Sequence, residues 1–231
     1  MAGRRAEAPR KRSAAAGAAK VLVTGFAPFG GEGVNPSWQV AEGLPAAVEG
    51  ARIAKCLVPT EFRRAIAAVA EAMEEHRPDI VLCLGQAGGR FRMSVERIGI
   101  NIDDAAIADN AGAQPIDEPI AQPGPAAYFA TVPVKAMVQA MLAAGVPAEV
   151  SNSAGTFVCN HLLYGVLHYI AAQGLATRAG FIHVPYAEEQ VLDKPGKPAM
   201  AVATMVRGVA AAISAALSHR TDLKLAGNST D

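Results

Sequence analysis

Short apolar runs rich in β-branched residues alternate along this chain with segments whose apolar residues recur every three or four positions. That alternation constrains the fold more than any other feature. Asp79-Ile80-Val81-Leu82-Cys83-Leu84 is almost wholly apolar, as in a strand covered on both faces by helices. Val21-Leu22-Val23-Thr24 is a similar run that stops at Gly25, and residues 52–58, 148–151 and 180–184 repeat the pattern. Residues 97–102 offer one more strand. Between the runs, residues 61–76 set Ile66, Val69, Ala70 and Met73 on one helical face. Helices are also predicted after Asn35-Pro36-Ser37 and over residues 135–144, 160–172 and 199–217. Strands alternating with helices predict a single-domain α/β/α sandwich with a mainly parallel central sheet. A chain of 231 residues, 51% hydrophobic, is long enough for one such domain. With only 5% aromatics, its core is expected to consist of small aliphatic side chains.

Residues 1–19 read as a disordered basic leader, 20–218 as the folded domain and 219–231 as a loose tail. Six of the 21 basic residues but one of the 21 acids lie in residues 1–20, which leaves 15 basic against 20 acidic residues, a net of −5, for the rest. A folded body of that sign is a poor nucleic-acid binder. The leader has no apolar h-region, so it is not a secretory signal, although its Ala and Arg content also fits a transit peptide. No apolar run reaches the length of a membrane span. Cys56, Cys83 and Cys159 are odd in number and widely spaced. They suggest neither a disulfide framework nor a zinc site, and a reducing cytoplasm fits them best.

Three segments break the pattern at predicted strand ends, where ligands bind in such sheets. They are Gly25-Phe26-Ala27-Pro28-Phe29-Gly30-Gly31, Gly85-Gln86-Ala87-Gly88-Gly89 and Ser153-Ala154-Gly155-Thr156-Phe157-Val158-Cys159. Cys83 and Cys56 lie inside strands and read as small buried hydrophobes. Cys159 follows a Gly-containing turn and opens a predicted helix, a place that lowers a thiol pKa and offers free N–H groups to an oxyanion. Local features leave it open whether Cys159 is functional or structural. A reactive thiol needs an imidazole partner. His161 and His168 share its helix but fall near the opposite face. His76 and His219 sit near the ends of surface helices. Elimination favours His183, which ends the strand Phe181-Ile182-His183, with a buried structural role as the alternative.

In four motifs the chain resembles the pyroglutamyl peptidase I family, also called pyrrolidone-carboxylate peptidases. They are Thr24-Gly25-Phe26-Ala27-Pro28-Phe29-Gly30-Gly31 with Asn35-Pro36-Ser37, then Gly85-Gln86-Ala87-Gly88-Gly89-Arg90 leading to Ser94-Val95-Glu96-Arg97 and Asn101. Ser153 to Asn160 and Phe181-Ile182-His183-Val184-Pro185 complete the set. The resemblance runs from about residue 20 to about residue 217. It implies a peptidase domain over residues 20–218, with a Glu/Cys/His triad matched here by Glu96, Cys159 and His183. Glu96 comes from the resemblance alone; as an exposed strand-end carboxylate it would otherwise compete with Asp103 and Asp104. The resemblance also implies no metal or organic cofactor and a homo-oligomer, often a tetramer. Ala27 stands where the family commonly has Asp, Gly99 where Ala is usual and Phe157 where Tyr is frequent.

The implied substrates are small peptides with an N-terminal pyroglutamyl residue, a lactam with two apolar faces and one polar edge. Phe26 and Phe29 are expected to supply flat walls, Asn35 and Gln86 polar partners, and Arg90 help for the oxyanion, with a plain surface charge as the alternative for Arg90. Rival readings are a nucleoside phosphorylase-like enzyme, a cysteine amidase or acyltransferase on another small lactam or amide, and a catalytically dead binding relative.

Overall fold

The structure is a computed structural model that describes residues 18–226. Nine strands and five helices follow one another: β1 (Lys20–Phe26), α1 (Pro36–Gly43), β2 (Ala47–Val48), β3 (Ala51–Val58), α2 (Arg64–His76), β4 (Ile80–Gln86), β5 (Met93–Glu96), β6 (Ile98–Ile100), β7 (Ala127–Phe129), α3 (Val134–Ala143), β8 (Ala148–Ser151), α4 (Val158–Ala172), β9 (Arg178–Val184) and α5 (Val202–Ser218). Seven strands form one sheet in the order β2-β3-β1-β4-β9-β5-β8. Its centre, β3-β1-β4-β9, is parallel. β2 runs antiparallel to β3, and β5 antiparallel to β9. β6 and β7 make a separate antiparallel pair.

The period-two rule assigns the faces. Ile80, Leu82 and Leu84 of β4 pack with α1, α3 and α5 through residues such as Val40, Met137 and Val209. Val81 and Cys83 point the other way, toward α2 and α4, among Val69, Leu162 and Val166. Both faces are therefore covered, as the apolar strands required, and the α/β/α sandwich with its mainly parallel sheet is what the chain adopts.

Several features differ from the sequence reading. The expected strand over residues 97–102 is two pieces: β5 ends at Glu96, and β6 turns away to pair with β7. Arg97 is the crossing point, its N–H donating to Ser151 O (2.8 Å) and its carbonyl accepting from Ala130 N–H (2.9 Å). Helix α2 starts three residues late because Arg63 adopts φ 61° and the Arg64 N–H closes a tight turn on Phe62 O at 2.6 Å. Cys56 is half-buried, packed at the margin of the core under α2 and α4, rather than fully buried. The leader, apart from residues 18 and 19, lies outside the described residues, as does the tail beyond residue 226. Within the described tail, Asp222 Oδ1 accepts from the Lys135 and Ala136 N–H groups, each at 3.0 Å, and so caps α3.

Candidate active site

The ends of β1, β4 and β9 converge on the start of α4. Gly85 makes the approach possible: a Cβ built there would stand 2.9 Å from Cys159 Sγ and 2.6 Å from Phe181 Cζ. Gly85 is also the register partner of His183 on β9. The sulfur thus rests on the sheet beside the strand position that carries the imidazole.

Glu96 arrives from the antiparallel neighbour. It pairs across with Phe181, and His183, two residues further along β9, projects from the same face. His183 Nδ1 lies 2.7 Å from Glu96 Oε1, and Arg90 Nη1 donates to the same oxygen at 2.8 Å. Glu96 is wholly buried and His183 is 4% exposed. Burial works to raise the Glu96 carboxyl, but hydrogen bonds from His183, Ser151 and Arg90, with the His183 charge, outweigh it and hold the carboxyl below its ordinary value. The carboxylate expected at an exposed strand end is therefore interior and ionised. An acceptor on Nδ1 leaves Nε2 as the imidazole nitrogen free for chemistry.

Cys159 is the second residue of α4. Phe157 precedes the helix and gives it no side-chain cap, and the first-turn N–H groups beside the nucleophile, as in any helix, have no intrahelical acceptor. The sequence reading expected this helix end to lower the thiol. Burial instead pushes Cys159 up to about 12; Glu96 and Cys83 add to the rise, and Arg90 opposes it. Desolvation wins because the sulfur is set into an apolar wall over Gly85.

In front of the sulfur lies a cavity of about 240 Å³ lined by Phe26, Phe29, Asn35, Gln86 and Cys159. It is smaller than the roughly 300–1,000 Å³ common for drug-sized ligands and suits a single small ring. Three larger clefts, of about 520, 320 and 280 Å³, are lined by none of Glu96, Cys159 and His183. Phe29 packs on Phe157 with ring centroids 5.2 Å apart. Asn35 is largely spent on its own loop: Oδ1 accepts from Ser37 N–H at 3.1 Å, and Nδ2 donates to Ala27 O at 3.0 Å. Arg90 is not in the lining; besides Glu96 its guanidinium reaches Ser153 O, at 3.4 Å. Val34, Thr60, Phe157 and Tyr186 also line the cavity, and sequence reasoning did not place them there. Phe157 directly precedes the nucleophile's helix and Tyr186 follows β9 by two residues, so nearness to the motifs was the available signal. Thr60 carried none.

The rejected partners have other engagements. His161 Nδ1 sits 2.8 Å from Asp103 Oδ2, and its Nε2 accepts from the Arg63 N–H at 2.7 Å. This occupies both His161 nitrogens and removes Asp103 as a rival to Glu96. Asp104 is exposed, with its main-chain N–H on Thr156 O at 3.0 Å. Among the described residues no three His, Cys, Asp or Glu side chains are grouped to hold a metal, and no helix is long and apolar enough to cross a membrane.

A family model described as pyroglutamyl peptidase matches residues 19–219. The pyrrolidone-carboxylate peptidase of Alkaliphilus oremlandii is 50% identical over 208 residues, covering 90% of this chain and 98% of its own. Pyrrolidone-carboxylate peptidase 1 of Caldanaerobacter subterraneus is 55% identical over 194 residues, 84% of this chain and 96% of its own. The crystal structure of pyroglutamyl peptidase I from Bacillus amyloliquefaciens superposes with a TM-score of 0.88 at 44% identity, over 90% of this chain and 99% of that one.

Proposed function

The chain belongs to the pyroglutamyl peptidase family, and from that premise we propose that Cys159, His183 and Glu96 carry out its reaction. It is a cysteine peptidase that removes an N-terminal pyroglutamyl residue from peptides. The nucleoside phosphorylase and other-amide readings are not favoured by the family membership.

The thiol rests protonated in its apolar seat, so its proton must leave as it attacks. His183 Nε2 takes that proton while Sγ bonds to the carbonyl carbon that joins pyroglutamate to residue two. Negative charge collects on the carbonyl oxygen, and the uncapped first-turn N–H groups of α4 receive it. His183 returns its proton to the nitrogen of residue two, the C–N bond breaks, and a thioester remains. Water then attacks the thioester with His183 again accepting the proton. Pyroglutamate departs, and Sγ is reprotonated. Glu96 holds the imidazole by Nδ1 and stabilises its charged form. Arg90, bound to the same carboxylate oxygen, is better suited to fixing Glu96 than to meeting the substrate. The pocket offers the lactam flat walls in Phe26 and Phe29 and a polar edge at Gln86.

The same proposal covers small pyroglutamyl peptides as substrates, action in a reducing cytoplasm, and assembly into a homo-oligomer, a tetramer by family resemblance. Exposed Phe129 (66%) and Leu192 (88%) support self-association. The observation that carries the mechanism is the 2.7 Å link from Glu96 to an imidazole whose strand partner, Gly85, bears the Cys159 sulfur. Release of a fluorophore from a pyroglutamyl amide tests it. Cys159→Ala should lower kcat/KM by at least ~10³-fold, about 4 kcal/mol, with the thermal midpoint retained. Comparable turnover in that variant would remove Cys159 from the mechanism.

A further inference from the structure

We propose that Gln190, which does not line the pocket, is the positioning residue that sets the donor–acceptor sense of the lactam site by fixing the side-chain amide of Gln86. This inference rests on the pyroglutamyl reading above. Gln190 lies in a short 3-10 turn (Glu188–Val191) after β9 and is 4% exposed. Its own orientation is dictated by the backbone: Oε1 accepts from the Ala187 N–H at 3.0 Å. A main-chain N–H can only donate, so that atom of Gln190 must be the oxygen. Nε2 therefore points the other way, where three acceptors wait. It donates to Gln86 Oε1 at 2.9 Å and lies 3.4 Å from both Val34 O and Glu32 Oε2.

The constraint passes one residue further. Because Gln190 presents a donor, the atom of Gln86 that meets it must be an acceptor, and the amide of Gln86 cannot turn over without setting N–H against N–H. Its Nε2 diverges from that contact and takes no partner among the described residues, while Gln86 lines the cavity. The cavity consequently offers a donor at this point and demands an acceptor from its ligand. A lactam carbonyl satisfies it. A prolyl ring, with CH2 at that position, would leave the Gln86 N–H groups desolvated and unpaired. Orientation thus runs from the Ala187 peptide through Gln190 to Gln86 and the ring. Val34, which also lines the cavity, is held on the same Nε2.

Gln190→Glu keeps the shape and the bond from Ala187 but replaces the donor by an acceptor. Gln86 then turns over to donate, and its oxygen meets the lactam oxygen. For a pyroglutamyl amide KM should rise at least tenfold while kcat changes less than threefold, and preference over the prolyl amide should fall by the same factor. The inhibition constant of 2-pyrrolidone, the bare lactam, should rise in parallel. Gln190→Met, which removes the constraint without adding charge, should raise KM at least threefold and serves if the glutamate variant does not fold. On a Gln86→Leu background, neither substitution should add to the loss. A folded variant with unmoved KM, losses shared equally by both substrates, or full additivity with Gln86→Leu would overturn the role of Gln190. A wild-type protein that fails to cleave the pyroglutamyl amide would instead overturn the reading on which it rests.

Discussion

Glu96 is a fully buried charge whose Oε1 receives both His183 Nδ1 and Arg90 Nη1. Such a carboxylate has a narrow task, which is to hold and charge one imidazole. If so, Glu96 and His183 act as a unit and their losses will not add. Glu96→Gln should lower kcat and leave KM nearly unchanged, His183→Ala should cost at least as much, and the double variant should be little worse than His183→Ala; full additivity would place Glu96 elsewhere. The thiol offers a second readout. Burial, with Glu96 and Cys83 adding and Arg90 opposing, holds the Cys159 thiol up at about 12, so its attack depends on an imidazole to take the proton. Alkylation by iodoacetamide at pH 7 should therefore slow at least tenfold in His183→Ala and recover as pH rises toward that value. The stability of Glu96 has the opposite sign. Its folded pKa is depressed, so the stabilisation is complete above the ordinary carboxylate range and disappears as pH falls through the lowered value. Glu96→Gln should flatten that acid limb. Gly85→Ala is a test of the contact beneath the sulfur: the added methyl meets Sγ and Phe181, and overpacking of this kind costs about 1–3 kcal/mol. Activity should fall by more than the stability loss explains, because the sulfur is displaced; normal kcat in a folded Gly85→Ala protein would show that the seat is not needed.

At the scale of elements, what the sequence discloses depends on whether an element's partner matters. The apolar strands β1, β4 and β9 declare themselves because both faces are buried. Cys159 and His183 are legible for the same reason, since each lies at the edge of a segment whose period can be read. Glu96 was not legible without the family resemblance. Its strand, Met93–Glu96, is only four residues long and runs antiparallel to β9. Which carboxylate meets which imidazole depends on that reversal, and no local pattern encodes it. The start of α2 was misread for a different reason: periodicity continues through Phe62, but the backbone does not. Arg63 holds φ 61° and ψ −48°, a tight-turn conformation that is strained for any L residue. It is kept because its N–H bonds to His161. Glycine adopts that conformation without the Cβ penalty and preserves the N–H. Arg63→Gly should stabilise the protein by about 1 kcal/mol, less the added unfolded-state entropy, and raise the thermal midpoint by up to about 2–4 °C with kcat/KM unchanged. A lower midpoint would mean that the Arg63 side chain contributes more than its backbone strain costs.

At the scale of the whole molecule, one face of one sheet gathers the proposed chemistry. Cys83, Gly85, Phe181 and His183 share a side by alternation, and α4 lies over that side with its uncapped end at the pocket. The alternation of strands and helices was enough to anticipate the sandwich and the end of the sheet where the site lies. The order of strands was not legible, because it is set by which faces exclude water together rather than by any single segment. The basic leader was read as separate from this body, and the anchoring of β1 shows where a truncation is tolerable. The Ala19 carbonyl accepts from Arg52 N–H at 2.8 Å, and the Lys20 N–H donates to Asp79 Oδ2 at 2.9 Å. These bonds fix β1 between its neighbours, and β1 delivers Phe26 and the first loop to the pocket. The family match begins at residue 19. Residues 1–18 contribute net positive charge and few large apolar groups, a composition with little apolar surface to bury. Deleting residues 1–18 should therefore leave kcat/KM for the pyroglutamyl amide within about threefold, ~0.7 kcal/mol. The substrate is small and residues from Phe26 to Tyr186 line the described pocket, so KM and kcat should each stay near the full-length values. A loss well beyond threefold, with the thermal midpoint intact, would mean that the leader reaches the pocket. The same loss with a lowered midpoint would mean that it braces β1.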